Sequence, residues 1–213
     1  LAGERIDKIS DGETKESILE HLKKALGTAI SKAVPGVSIV KRDLLRCGRG
    51  SLELDGGIIF SAKELSSHMT GAVEICAFLA TIGSGIEEEA SSDMKFGDHL
   101  GGYLLDRIGS FAVESLAKNT EDGLRRSLIS RDLSVSMRFS PGYCDWPIED
   151  QFKLAKIIDF AGIGVTLTEN CMMIPKKSIT AIVGVGPKEL FSKILSPCAA
   201  CNMKVCGYRR IGY

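Results

Sequence analysis

The chain has 213 residues, 44% of them apolar and 25% charged, with 27 basic side chains against 27 acidic ones, 23 glycines and 6 prolines. That composition excludes collagen-like, disordered and supercharged chains, and the length suits one sizeable core better than two full domains. A formal net charge of zero gives no long-range field to gather phosphates, so neither nucleic acid nor a membrane surface is expected as a partner.

Residues 13–33 carry Ile18, Leu22, Ala25, Leu26, Ala29 and Ile30 at helical spacing, and Pro35-Gly36 stops them. Residues 37–40, 51–54 and 58–60 are short, β-prone and separated by glycine-bearing turns, which predicts antiparallel strands. Ser61 stands where it can cap a short helix running through Met69. Residues 72–82 are almost wholly apolar and end at Gly83-Ser84-Gly85, the pattern of a central strand buried on both faces. Residues 86–131 are helical in character, with breaks expected at Gly97 and at Gly101-Gly102. Within them Leu100, Leu104, Ile108, Phe111 and Ser115 mark one long amphipathic helix that crosses the sheet.

A strand over 135–139 runs into a loop over 140–147, which its prolines keep from being helical. Asp145 stands where it can cap a helix reaching about Ala161, with Pro147, Glu149 and Asp150 in the first turn. Strands over 165–168 and 178–185 and a short helix over 188–195 follow. Strands arrive in adjacent groups rather than alternating with helices, so the expected fold class is α+β, an antiparallel sheet with a long crossing helix and flanking helices. The expected division is one domain over 1–195 and a cysteine-rich tail over 196–213.

The stretch from Arg138 to Pro147 is the most informative. An arginine on a strand, four residues before a Gly-Tyr turn, can fork onto a carboxylate while backbone N–H groups hold the rest of a small polar ligand. Gly142 lets that backbone come close. The same residues also fit a structural reading, in which Arg138 satisfies loop carbonyls and Tyr143 and Trp146 simply pack.

The order of motifs carries a resemblance. Arg138-Phe139-Ser140-Pro141-Gly142-Tyr143, then Trp146-Pro147, then Met172 to Ala181, together with the upstream run Leu105 to Glu114, resembles the activation domain of cobalamin-dependent methionine synthase over roughly residues 72–191. The resemblance implies an antiparallel α+β fold that binds S-adenosylmethionine and sits over the cobalamin of a corrinoid-carrying methyltransferase. It implies that Arg138 holds the methionyl carboxylate, that Pro141, Gly142 and Tyr143 shape the ligand bed, and that Cys144 and Asp145 offer backbone contacts.

The chain also departs from that family. Ser110 falls where the family places a helix glutamate that contacts the ligand, and Glu114, one turn later, is the nearest acid. A family tyrosine falls near Phe191, which fits the core better than an adenine stack. Ser66 to Gly71 lacks the aspartate of a cobalamin-binding motif, so His68 reads as an ordinary histidine. Homocysteine and folate barrels of about 250 residues each have no room. The chain therefore reads as a free-standing activator whose partner carries the cobalamin and whose electron comes from a donor such as flavodoxin or ferredoxin.

Seven cysteines, with Cys47, Cys76, Cys144 and Cys171 scattered and three crowded at the end, are not a disulfide framework. Cys198, Cys201 and Cys206 form C-x2-C-x4-C, a spacing at which three thiolates can meet zinc or an iron–sulfur cluster, though a reduced tail without metal has the same spacing. A cluster there would make an electron-transfer protein the alternative function. No apolar run approaches the ~20 residues that span a bilayer and no secretory pattern opens the chain, so a cytoplasmic protein is expected.

Overall fold

A computed structural model describes residues 11–191 of the protein. Helix α1 (Gly12–Lys32) starts where the Asp11 carboxylate accepts the Thr14 N–H at 3.1 Å, and it buries Ala25 and Ala29. Strands β1 (Gly36–Gly48), β2 (Ser51–Leu54) and β3 (Ile58–Ser61) follow, then helix α2 (Lys63–His68), strand β4 (Glu74–Thr81), and helices α3 (Gly85–Lys95) and α4 (His99–Ser127). The rest of the described chain is β5 (Leu133–Val135), α5 (Gln151–Leu154), β6 (Thr166–Leu167), β7 (Met173–Ile174), β8 (Ser178–Pro187) and α6 (Lys188–Phe191).

One antiparallel sheet has the order β3-β2-β1-β4-β8-β5, and β6 with β7 forms a separate hairpin. The predicted class, α+β with a long crossing helix, is the architecture observed. The apolar run over 72–82 supplies β4, which lies between β1 and β8 with Phe78 paired to Ile39 on one side and to Ala181 on the other. Alternation along β4 then feeds two cores. Cys76, Phe78 and Ala80 join Ala181, Val183 and Ala117 of α4 on one face. Ile75, Ala77 and Leu79 join Ile182, Leu65, Phe60, Trp146 and Leu154 on the other.

Several expectations are corrected. Of the two breaks expected in the helical stretch, the one at Gly97 is present: α3 and α4 divide at Phe96-Gly97-Asp98, where Asp98 caps α4 by accepting the Gly101 N–H at 2.8 Å. Gly101-Gly102 is no break but the first turn of α4. A Cβ on Gly102 would stand 2.7 Å from the Ala90 carbonyl oxygen, so the missing side chain lets α4 lie against α3.

Strand β1 runs on to Gly48 instead of ending at Val40. Its second half pairs with β2 through a register shift between Leu44 and Arg46, with Lys41, Asp43 and Arg46 exposed and Arg42 half-buried. Ser61 does not cap α2, whose N-cap position is Ala62 without a side-chain bond. The helix expected from Asp145 to Ala161 is a 3-10 turn, Ile148–Asp150, followed by the short α5, and it too starts without a side-chain cap. Both differences have one cause, which lies in the loop over 140–147.

Candidate functional site

After β5 the chain stays alongside β8. Phe139 bridges Ile182, donating its N–H to the Ile182 carbonyl at 2.9 Å and accepting the return bond at 2.8 Å. Its ring turns into the core, 5.1 Å from His68 and 6.2 Å from Tyr143. Arg138, immediately before it, reaches α4 instead, where its Nη2 pairs with the Glu114 carboxylate. Arg138 is only 5% exposed, and its Nη1 is buried without a hydrogen-bond partner among the described residues, as is the Oγ of Ser140. Buried donors left unmade are costly, and of the unmatched buried atoms these two lie beside the Gly-Tyr turn, where a polar ligand group could satisfy them.

The turn beyond is closed by its own backbone. Tyr143 N–H donates to the Ser140 carbonyl at 3.0 Å, Gly142 N–H to Trp146 at 2.8 Å, and Trp146 N–H to Tyr143 at 2.9 Å. Gly142 has φ +90°, a conformation L side chains rarely adopt, which is why the Gly-Tyr turn requires glycine. Cys144, at φ +51°, sits in the left-handed region on the exposed side. Pro141 is buried behind the turn.

Two anchors hold this loop. Trp146 is 1% exposed, packs edge-on against Phe60 at 5.2 Å, and donates its Nε1–H to Asp150 at 2.8 Å. Asp145 turns its carboxylate to α2, accepting the Lys63 N–H at 2.6 Å and the Glu64 N–H at 3.2 Å. It thus caps a helix more than eighty residues away in sequence. This leaves the segment after Pro147 without the cap assigned to it, and explains how α2 starts without Ser61.

The helix acids sort out differently from a simple substitution. Asp106, Ser110 and Glu114 lie one turn apart on one face of α4. Ser110 accepts a bond from Lys177 Nζ at 2.9 Å, and that lysine also pairs with Asp106 at 2.6 Å. The position lacking the glutamate is therefore occupied by a lysine from the segment before β8, while Glu114 meets Arg138. Lys177 carries no motif in the sequence, so only the fold identifies it as part of this wall.

The structure thus brings Arg138, Pro141, Gly142, Tyr143, Cys144, Asp145 and Glu114 into one neighbourhood. Phe191 is 7% exposed and its ring lies against Gly186, a core position. His68 Nδ1 lies 2.7 Å from the Glu64 carbonyl oxygen, one helical turn back on α2. Among the described residues no group of three or more His, Cys, Asp or Glu could hold a metal, and no helix is long and apolar enough to cross a membrane. Cys198, Cys201 and Cys206 lie outside the described residues, as does the end of the helix expected over 188–195.

These features define an α+β domain whose antiparallel sheet carries a polar bed beside β8, walled by one long helix. A family model described as the vitamin B12 dependent methionine synthase activation domain matches residues 66–194, more than half of the chain. The chain belongs to that family. Among solved structures it is similar to the crystal structure of the MetH reactivation domain bound to AdoHcy, with a TM-score of 0.66 at 16% identity, over 90% of this chain and 70% of that one. That likeness establishes the shared fold. No match was found among curated proteins.

Proposed function

We propose that this protein binds S-adenosylmethionine on the bed from Arg138 to Asp145 and supports reductive methylation of cob(II)alamin on a separate corrinoid methyltransferase, methionine synthase being the first candidate. One observation carries the reading: Arg138 is buried with one edge on Glu114 and the other edge unmatched, at the head of the Arg-x-x-x-Gly-Tyr motif. A carboxylate is the ligand group that a guanidinium edge fits best. Family membership and the AdoHcy carried by the related reactivation domain support the same choice.

When bound, S-adenosylmethionine supplies a sulfonium methyl group, and the partner's cobalt, reduced by one electron, is what accepts it. The chain's own task is positioning, since sulfonium methyl transfer needs in-line approach and little proton movement. Arg138 grips the carboxylate while Glu114 holds the guanidinium in place. Gly142 keeps the turn low, Pro141 and Tyr143 shape its sides, and Cys144 and Asp145 present backbone to the ligand. The electron comes from a donor such as flavodoxin or ferredoxin, or from a cluster on Cys198, Cys201 and Cys206.

Calorimetric titration tests the first half. Arg138→Ala should weaken S-adenosylmethionine by about 2–4 kcal/mol, roughly 30- to 1000-fold, the usual cost of removing one partner of a buried charged pair. Equal binding by the variant ends the carboxylate assignment. Adding the protein, S-adenosylmethionine and a low-potential reductant to a corrinoid methyltransferase tests the second half. Methylcobalamin should form faster than without the protein, and an unchanged rate rejects the activator role.

A further inference from the structure

Arg138 is not the only buried donor left waiting. Ser140 is 8% exposed, its Oγ has no hydrogen-bond partner among the described residues, and its carbonyl is already engaged by the Tyr143 N–H. The residue after it is a proline, which offers no N–H that could compete for a ligand at this point. Arg138 and Ser140 flank Phe139, which is paired with β8 and sends its ring into the core. Successive side chains on an extended segment alternate in direction, so residues two apart share a side. The two unmatched donors therefore stand together on the side away from Phe139, where Arg138 meets α4.

We infer that Ser140 is a second ligand residue, whose hydroxyl donates to the same carboxylate that Arg138 grips. A carboxylate has two oxygens with room for about four hydrogen bonds, so one can take Arg138 Nη1 while the other takes Ser140 Oγ. This inference rests on the proposed ligand and deepens it, because it assigns the recognition of one ligand group to two residues. It also accounts for a buried hydroxyl that otherwise only destabilises the protein.

The test is titration of wild type and Ser140→Ala with S-adenosylmethionine and with its decarboxylated analogue, alongside thermal melts of the ligand-free proteins. Ser140→Ala should bind S-adenosylmethionine about ten- to a hundred-fold more weakly, as expected for a lost bond to a charged group. It should bind the decarboxylated analogue as wild type does, and should melt no lower than wild type without ligand. Ser140→Cys, similar in size but a weak donor, should show the same selective loss. Wild-type affinity for S-adenosylmethionine in both variants overturns the assignment, and so does an equal loss for both ligands. Absence of saturable binding by wild type is a different result, which removes the ligand proposal itself and this inference with it.

Discussion

Replacing Asp145 by alanine removes the cap of a helix that belongs to a distant part of the chain. The carboxylate accepts two N–H groups of α2, from Lys63 at 2.6 Å and from Glu64 at 3.2 Å, and the local N-cap residue Ala62 supplies none. Loss of an N-cap costs about 0.5–2 kcal/mol, and a charged acceptor serving two donors belongs near the top of that range, at about 1.5–2 kcal/mol. For a domain of this size that corresponds to a fall in Tm of roughly 3–8 °C. Circular-dichroism melts measure the fall, and hydrogen exchange locates it, with the Lys63 and Glu64 amides losing protection first. Adding a local cap with Ala62→Ser should restore most of the stability of Asp145→Ala. An unchanged Tm with unchanged protection at those two amides would refute the reasoning.

Gly102→Ala should destabilise by about 1–3 kcal/mol in urea denaturation, because the new Cβ would meet the Ala90 carbonyl oxygen at 2.7 Å and push α4 off α3. A neutral result would mean that the two helices are less tightly docked. Burial, with the Glu74 carboxylate adding to it, pushes the Cys76 thiol up to about 11, whereas Cys144 is exposed. Alkylation at pH 8 followed by peptide mapping should therefore modify Cys144 rapidly and Cys76 only on unfolding, since the thiolate is the reactive form. A fast reaction at Cys76 in the folded protein at pH 8 would contradict its burial.

What could be read from the sequence depended on how local its cause is. The β4 segment is legible because burial on both faces leaves a continuous apolar run, and the division of the helices at Gly97 is legible because Asp98 follows as a local cap. The second half of β1 is not, since Arg42 stands on the half-buried side between Val40 and Leu44 while Leu45 is exposed, which breaks the apolar-polar alternation there. Asp145 shows the limit most clearly. Its position before Pro147 reads as a cap for the next helix, yet the carboxylate serves α2, a pairing that exists only after folding. In the site, Arg138, Gly142 and Tyr143 are visible through their motif. The role of Lys177 beside Ser110 and Asp106 depends on how the segment before β8 lies against α4, which no spacing in the sequence reveals.

The tie from Asp145 to α2 bears on where this module can be cut. The family match begins at residue 66, whereas the two amides that hold the loop belong to residues 63 and 64, and β1 covers one whole side of β4. A fragment trimmed to the match would lose the clasp of its own 140–147 loop and open the flank of its central strand to other chains. For this protein the working unit is larger than the recognisable one, and the surplus is the hairpin-rich portion that keeps the bed in shape.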